Sequence, residues 1–178
     1  MNRCKWCNLN NGLYVKYHDE EWGRPVYDDK VLFEFLVLEP FQAGLSWQTI
    51  LNNRDNFKKA FDNFDFNVIS TYNQDKIDSL MNNDGIIRNR RKIEATINNA
   101  KVFIKIQKEW GSFSKYIWHF TDGKIIYEND KTFSPLSDLI SADLKSRGMR
   151  FVGTTIIYSY LQAVGVINSH DDCCFLHK

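Results

Sequence analysis

Apolar residues recur at spacings of three and four along most of the chain, the period of one face of an α-helix. Val31, Leu32, Phe35, Leu36 and Leu38 form such a face, with Asp28 or Asp29 placed to cap its start. Proline disfavours helical geometry in the residue before it, so this helix is expected to stop just before Pro40. Ser46 is placed to cap a second helix with Trp47, Ile50 and Leu51 inward, and Phe57 and Phe61 continue its apolar pattern. Ile77, Leu80 and Met81 define a third, followed by Gly85 where a left-handed C-terminal turn is expected. Ile93, Ile97, Ala100 and Ile104 mark a long helix, and Ser112 can cap another carrying Phe113, Ile117 and Phe120. Residues 121–134 read as a polar loop, with a turn at Asp122-Gly123 and a short extended piece at Ile125-Ile126-Tyr127. Ser134-Pro135 opens a helix through Leu136, Leu139, Ile140 and Leu144, stopped by Gly148. The last helix runs from about Thr154 to Val164 and ends at Gly165. There is no run of strands, no internal repeat and no low-complexity linker, so the fold class is all-α.

A length of 178 residues suits a single domain spanning 1–178. A composition 43% hydrophobic and 25% charged excludes wholesale disorder. No apolar stretch approaches the ~20 residues of a membrane span, and no apolar run follows the N-terminal charges as in a signal peptide. A cytoplasmic protein without membrane contact is expected. The net charge of +1 excludes coating nucleic acid by bulk charge, but leaves room for a local basic patch. The aromatic content of 15% builds core and also supplies flat faces on which bases can stack.

The four cysteines sit at the two ends: Cys4 and Cys7, then Cys173 and Cys174, the second pair flanked by His170 and His177. Disulfides are disfavoured in the cytosol, so the clustering points to a metal, with zinc the usual ion for thiolate and imidazole donors. His170 and Cys174 stand at i and i+4 and can converge on one ion. Two donor sets fit the spacing: Cys4 and Cys7 with His170 and Cys174, or His18 in place of Cys7. Either set leaves no position for water, making the ion structural, and either requires adjacent termini.

Two segments carry further chemistry. Leu80 to Lys92 joins two apolar-faced helices, at about 74–108, by a hairpin through Gly85. Arg88, Arg90, Arg91 and Lys92 surround the start of the second helix. Free amides and positive charge at a helix N-terminus make an anion site, the physics of a helix-hairpin-helix motif gripping a DNA backbone. In Leu38-Glu39-Pro40-Phe41-Gln42-Ala43-Gly44-Leu45-Ser46-Trp47, a carboxylate sits among apolar residues, where burial is costly without partners. Gly44-Leu45 places an apolar side chain on a flexible tip.

Together these segments resemble the DNA-3-methyladenine glycosylase I family of helix-hairpin-helix glycosylases. The matching stretches are Arg3-Cys4-Lys5-Trp6, Tyr17-His18-Asp19-Glu20-Glu21-Trp22-Gly23, Leu38-Glu39 through Ala43-Gly44-Leu45-Ser46-Trp47, Gly85 through Ile93, and Arg147 through Thr155 on to His170. They cover nearly the whole chain in order. The resemblance implies an α-helical monomer that flips alkylated adenine out of double-stranded DNA and releases free 3-methyladenine. It implies one structural zinc per chain on Cys4, His18, His170 and Cys174, leaving Cys7 outside. The pocket acid of the family falls on Glu39. This suits a chain whose first Asp after Gly85 is Asp122, beyond the helix in which related glycosylases place an essential Asp. Tyr17 is expected to hydrogen-bond the base, Trp47 to stack on it and Trp22 to line the pocket. Gly44 and Leu45 are expected to fill the gap left in the duplex, and Gly85, Arg88 and Arg90 to hold its backbone. Pro40, where the family has Gly, and Arg91, where it has a small residue, are departures.

Overall fold

The computed structural model describes residues 1–177. Among them the regular structure is helical, apart from one parallel pair of two-residue strands. In chain order the helices are α1 (Gly12–Glu20), α2 (Asp29–Gln42), α3 (Trp47–Ala60), α4 (Phe66–Ile69), α5 (Gln74–Met81), α6 (Arg90–Trp110), α7 (Phe113–His119), α8 (Pro135–Ser146) and α9 (Thr154–Ala163). A short left-handed turn, Asp62–Phe64, links α3 to α4. Strands β1 (Ile126–Tyr127) and β2 (Ile167–Asn168) pair Ile126 with Ile167.

Helix α2 is the hub. It is apolar on nearly every face, the signature of a helix surrounded by protein. Leu32, Phe33, Phe35 to Leu38 and Phe41 are buried against α3, α6, α7 and α9. The caps follow the polar residues that precede each apolar run. Asp28 accepts from the amides of Lys30 and Val31, Ser46 from Thr49, Ser112 from Lys115, and Ser134 forms a reciprocal box with Ser137. Asp29, the other candidate cap of α2, instead receives the Phe113 and Ser114 amides and thus caps α7 across the core.

Two expectations are corrected. Helix α2 does not stop before Pro40 but continues to Gln42. Proline removes one N–H bond, and within the last turn that loss is tolerable because packing and outside donors hold the segment. Gly85 is not a left-handed cap, since α5 ends in right-handed geometry at Asn82. What restricts Gly85 is space: a Cβ there would lie 3.1 Å from Asn83 Oδ1 and 3.3 Å from Asn56 Cβ.

Gly165 closes α9 with φ +70°, and a Cβ on it would fall 2.1 Å from the backbone carbon of Arg24. This contact seats the chain between α1 and α2 on the end of α9, where Val26 N–H donates to the Val164 carbonyl. Gly165→Ala is expected to lower stability by about 3 kcal/mol. For a chain of this size that is a fall in Tm of roughly 6–12 °C, read by calorimetry. A Tm within about 1 °C of the parent would contradict it.

Candidate active site and metal centre

The C-terminal half of α2, the end of α1 and the start of α3 converge on a cavity of about 350 Å³. This is within the size range of small-molecule sites. Tyr17, Trp22, Glu39 and Trp47, the four pocket residues expected from the resemblance, all line it. Trp6, Tyr14, Gln42, Asp130, Ser159, Gln162, Ser169 and Asp171 complete the wall and were missed in the sequence. Of these, Ser159 and Gln162 carried a weak signal, as polar residues among the apolar ones of α9. The rings interlock, with Trp6 4.8 Å from Trp22 and Trp47 5.3 Å from Tyr17 between centroids.

Glu39 is 5% exposed, and no hydrogen bond from the described residues reaches its carboxyl. Burial alone pushes this carboxyl up to about 8. The Tyr17 hydroxyl is also driven well above its ordinary value, by burial first and then by the charge of Glu39. Trp47 Nε1 and Ser169 Oγ are buried without a hydrogen-bond partner among the described residues. A cavity wall carrying an unpaired carboxyl, an indole donor and a hydroxyl is built to be satisfied by something it binds. Behind Tyr17, Arg54 donates to Glu34 and Glu21 and lies over the Phe35 ring, tying α1, α2 and α3 together.

The cavity shares its Trp22 wall with a second constellation. Donor atoms of Cys4, His18, His170 and Cys174 all lie within 4.8 Å of one another, and all four residues are buried. His170 Nδ1 is 3.3 Å from Cys4 Sγ and 3.6 Å from Cys174 Sγ, and His18 Nε2 is 3.5 Å from Cys174 Sγ. The outer nitrogens of both rings have acceptors. His18 Nδ1 is 2.7 Å from Asp19 Oδ1, and His170 Nε2 is 3.2 Å from the Trp22 carbonyl. Protons on those outer nitrogens leave the inner nitrogens as acceptors, as metal ligation requires, with His18 Nε2 also receiving the Cys4 amide at 3.2 Å. Arg3 grips Asp19 in a bidentate pair and, with His18, lowers that carboxyl to about 2. The amides of Asp171 and Leu176 point at the Cys4 and Cys174 sulfurs. Burial, with the neighbouring His18, lowers His170 to about 4, keeping it a neutral ring, and burial raises the Cys4 thiol to about 12. This group can hold a metal ion. Cys7 stands apart, its sulfur directed to the Tyr14 carbonyl. The termini meet here, Phe175 N–H donating to the Asn2 carbonyl.

The expected DNA-facing residues occupy two neighbouring tips. Gly44 adopts φ +85° with open space around it, and Leu45 is 39% exposed. The hairpin lies between α5 and α6. Arg88 is exposed and free of carboxylate partners among the described residues, whereas Arg90 is paired with Asp78 at 2.6 Å. The Gly85 amide is already given to Asn83 Oδ1. Lys92, placed by sequence in the same basic run, is buried and turned inward.

A family model described as methyladenine glycosylase matches residues 6–177. DNA-3-methyladenine glycosylase 1 of Escherichia coli strain K12 is 39% identical over 183 residues, covering 98% of this chain and 97% of that protein. A crystal structure of 3-methyladenine DNA glycosylase I superposes with a TM-score of 0.95 at 41% identity, covering 99% of this chain and 100% of that one. A tyrosine-to-phenylalanine variant of such an enzyme, solved in complex with 3-methyladenine, gives 0.93 at 35% identity over 98% and 96% of the two chains. Fold and sequence are those of an all-α DNA glycosylase, a hydrolase of base-excision repair. Within that class, the chain belongs to the methyladenine glycosylase family. Among its described residues no helix is long and apolar enough to cross a membrane.

Proposed function

We propose that this chain, acting as a monomer, hydrolyses the N-glycosidic bond of 3-methyladenine in alkylated double-stranded DNA and releases the free base. The observation that carries the reading is the Glu39 carboxyl, buried without a protein hydrogen bond in an aromatic-walled cavity. Methylation at N3 makes the adenine cationic while it is joined to sugar, so the leaving group is already good. A unit positive charge about 4 Å from Glu39 is worth roughly 4 kcal/mol at an effective dielectric of 20. That equals about 3 pKa units, enough to ionise a carboxyl that burial otherwise keeps protonated at neutral pH. Neutral adenine brings no such charge and leaves Glu39 protonated. Selection therefore rests on charge more than on shape. In this mechanism Tyr17 hydrogen-bonds the base, Trp47 stacks on it, Trp22 walls the pocket, and Glu39 stabilises the cation and orients water. Gly44 and Leu45 fill the gap left by the extruded nucleotide.

Zinc is the metal that suits the four donors. With ordinary Zn–S and Zn–N bonds, a tetrahedron has sulfur-to-nitrogen edges of about 3.5 Å. Three of the four sulfur-to-nitrogen edges run from 3.3 to 3.6 Å, and all the donor atoms lie within 4.8 Å of one another. Two thiolates and two imidazoles leave no open position, so the ion would be structural. Its contribution would be to hold the N-terminal segment bearing Trp6, and His18 beside Tyr17, against the C-terminal segment bearing Ser169.

Backbone grip is assigned to the turn at Gly85, through its close approach and not its occupied amide, and to Arg88 and Arg90, with Arg88 the strongest because it has no carboxylate partner among the described residues. Arg88→Ala is expected to weaken binding to every duplex alike and to reduce the salt slope of log Kd by about one. An unchanged slope would remove Arg88 from the interface. The decisive assay for the whole reading is single-turnover release of 3-methyladenine from methylated duplex at saturating protein. Release supports it. Tight binding without release would make the chain a lesion-binding module instead.

A further inference from the structure

A helix end leaves its last carbonyls without intrahelical donors, and a buried end must find them elsewhere. The end of α2 is buried through Phe41, and its last turn has no basic side chain of its own. The donor comes from α6. Lys92, 8% exposed, sends Nζ to the Phe41 carbonyl at 3.2 Å and to the Ala43 carbonyl at 3.1 Å. Ala43 precedes the left-handed Gly44. The turn beyond it is tied back to α2 by Leu45 N–H on the Gln42 carbonyl and Gln42 Nε2 on the Leu45 carbonyl. Lys92 itself sits in the first turn of α6, four residues after Arg88. One ammonium thus joins the start of the hairpin's second helix to the strap that carries Leu45, and Glu39 lies two residues before Phe41 on the same helix.

We infer that Lys92 is a positioning residue that sets the Leu45 tip in register with the DNA backbone held at the hairpin, so that gripping the duplex and extruding its base occur as one rigid event. The inference rests on the proposed roles of Leu45 and the hairpin. Lys92 does not touch the base, and its ammonium, spent on two carbonyls, is not a phosphate contact. Its loss should therefore spare both the pocket and the electrostatic grip while disturbing the geometry between them.

The test uses Lys92→Met, close in size and without donors, in three measurements. Affinity for undamaged duplex against salt is expected to match the parent, with no change in slope, in contrast to Arg88→Ala. Affinity for free 3-methyladenine is expected within about twofold of the parent. Single-turnover excision from a fully paired duplex is expected to fall by tenfold or more, in line with the cost of misplacement by about 1 Å. The same lesion opposite an abasic site, where extrusion is already easy, should recover most of the rate, and Lys92→Arg should recover it on paired DNA. A lowered salt slope would make Lys92 a phosphate ligand and overturn the inference. So would unchanged excision, or parallel losses in base affinity and in both excision substrates, which would mark a general structural role. If Lys92→Met does not fold, Lys92→Gln is read in the same assays. Leu45→Ala separates the two levels: if it leaves paired-duplex excision unchanged, the role of the tip itself is wrong, whatever Lys92 does.

Discussion

Glu39→Gln should reduce single-turnover excision of 3-methyladenine by two to three orders of magnitude and, at pH 8, yield a more stable protein. The loss follows from removing about 3–4 kcal/mol of charge-based stabilisation from the bound cation. The gain follows from the carboxyl's displacement to about 8 in the folded chain. Below about pH 4.5 both folded and unfolded states keep this proton, so the group has no effect. As pH rises toward 8 the unfolded chain ionises and the folded chain does not. Folding therefore becomes steadily less favourable, by up to roughly 5 kcal/mol once pH exceeds the folded value. Glutamine cannot ionise and escapes that cost. Excision should depend on pH in the opposite direction. Binding the cation expels the Glu39 proton, so kcat/KM should climb about tenfold per unit from near pH 5 and level off near 8. The variant should lose that climb. Thermal melts at pH 5 and 8, with excision profiles over the same range, check both slopes. A variant that retains parental excision would remove Glu39 from the chemistry.

Cys174→Ser should cut bound metal from one ion per chain to a small fraction and lower Tm by roughly 6–12 °C, the equivalent of about 3 kcal/mol. The ion would clip together segments separated by nearly the whole chain, closing a very long loop. Excision should fall with it, because Trp6 and Tyr17 enter the cavity from the segment that His18 and Cys4 anchor. Cys173→Ser is the control: the Cys173 side chain is exposed and outside the donor group, so metal and melting should stay at parental values. Elemental analysis and calorimetry decide the matter, and a full metal complement in Cys174→Ser would place the ligand elsewhere.

Local physics made much of this molecule readable from its sequence. Asp28, Ser46, Ser112 and Ser134 each sit within three residues of the start of a periodic apolar run, and each caps the helix found there. The conflict between Glu39 and its apolar neighbours was visible as an energetic oddity, but the resemblance was needed to give it a role. What escaped depends on partners distant in the chain. Pro40 read as a stop because the packing that sustains α2 comes from other helices. Lys92 read as one more surface charge because nothing local shows that the end of another helix needs its donors. Asp130, Ser159, Ser169 and Asp171 reach the cavity from the β1–α8 loop, α9 and the segment after β2, and no spacing in the sequence brings them together.

The distribution of the four metal donors has a consequence for biosynthesis. Synthesis makes Cys4 and His18 about 150 residues ahead of His170 and Cys174. A nascent or prematurely terminated product ending before His170 lacks half of the donors and cannot clamp its first segment beside Tyr17. With an ion bound, the cluster would make the base-binding chamber depend on two distant stretches of chain at once, so a product that stops before His170 would not complete it.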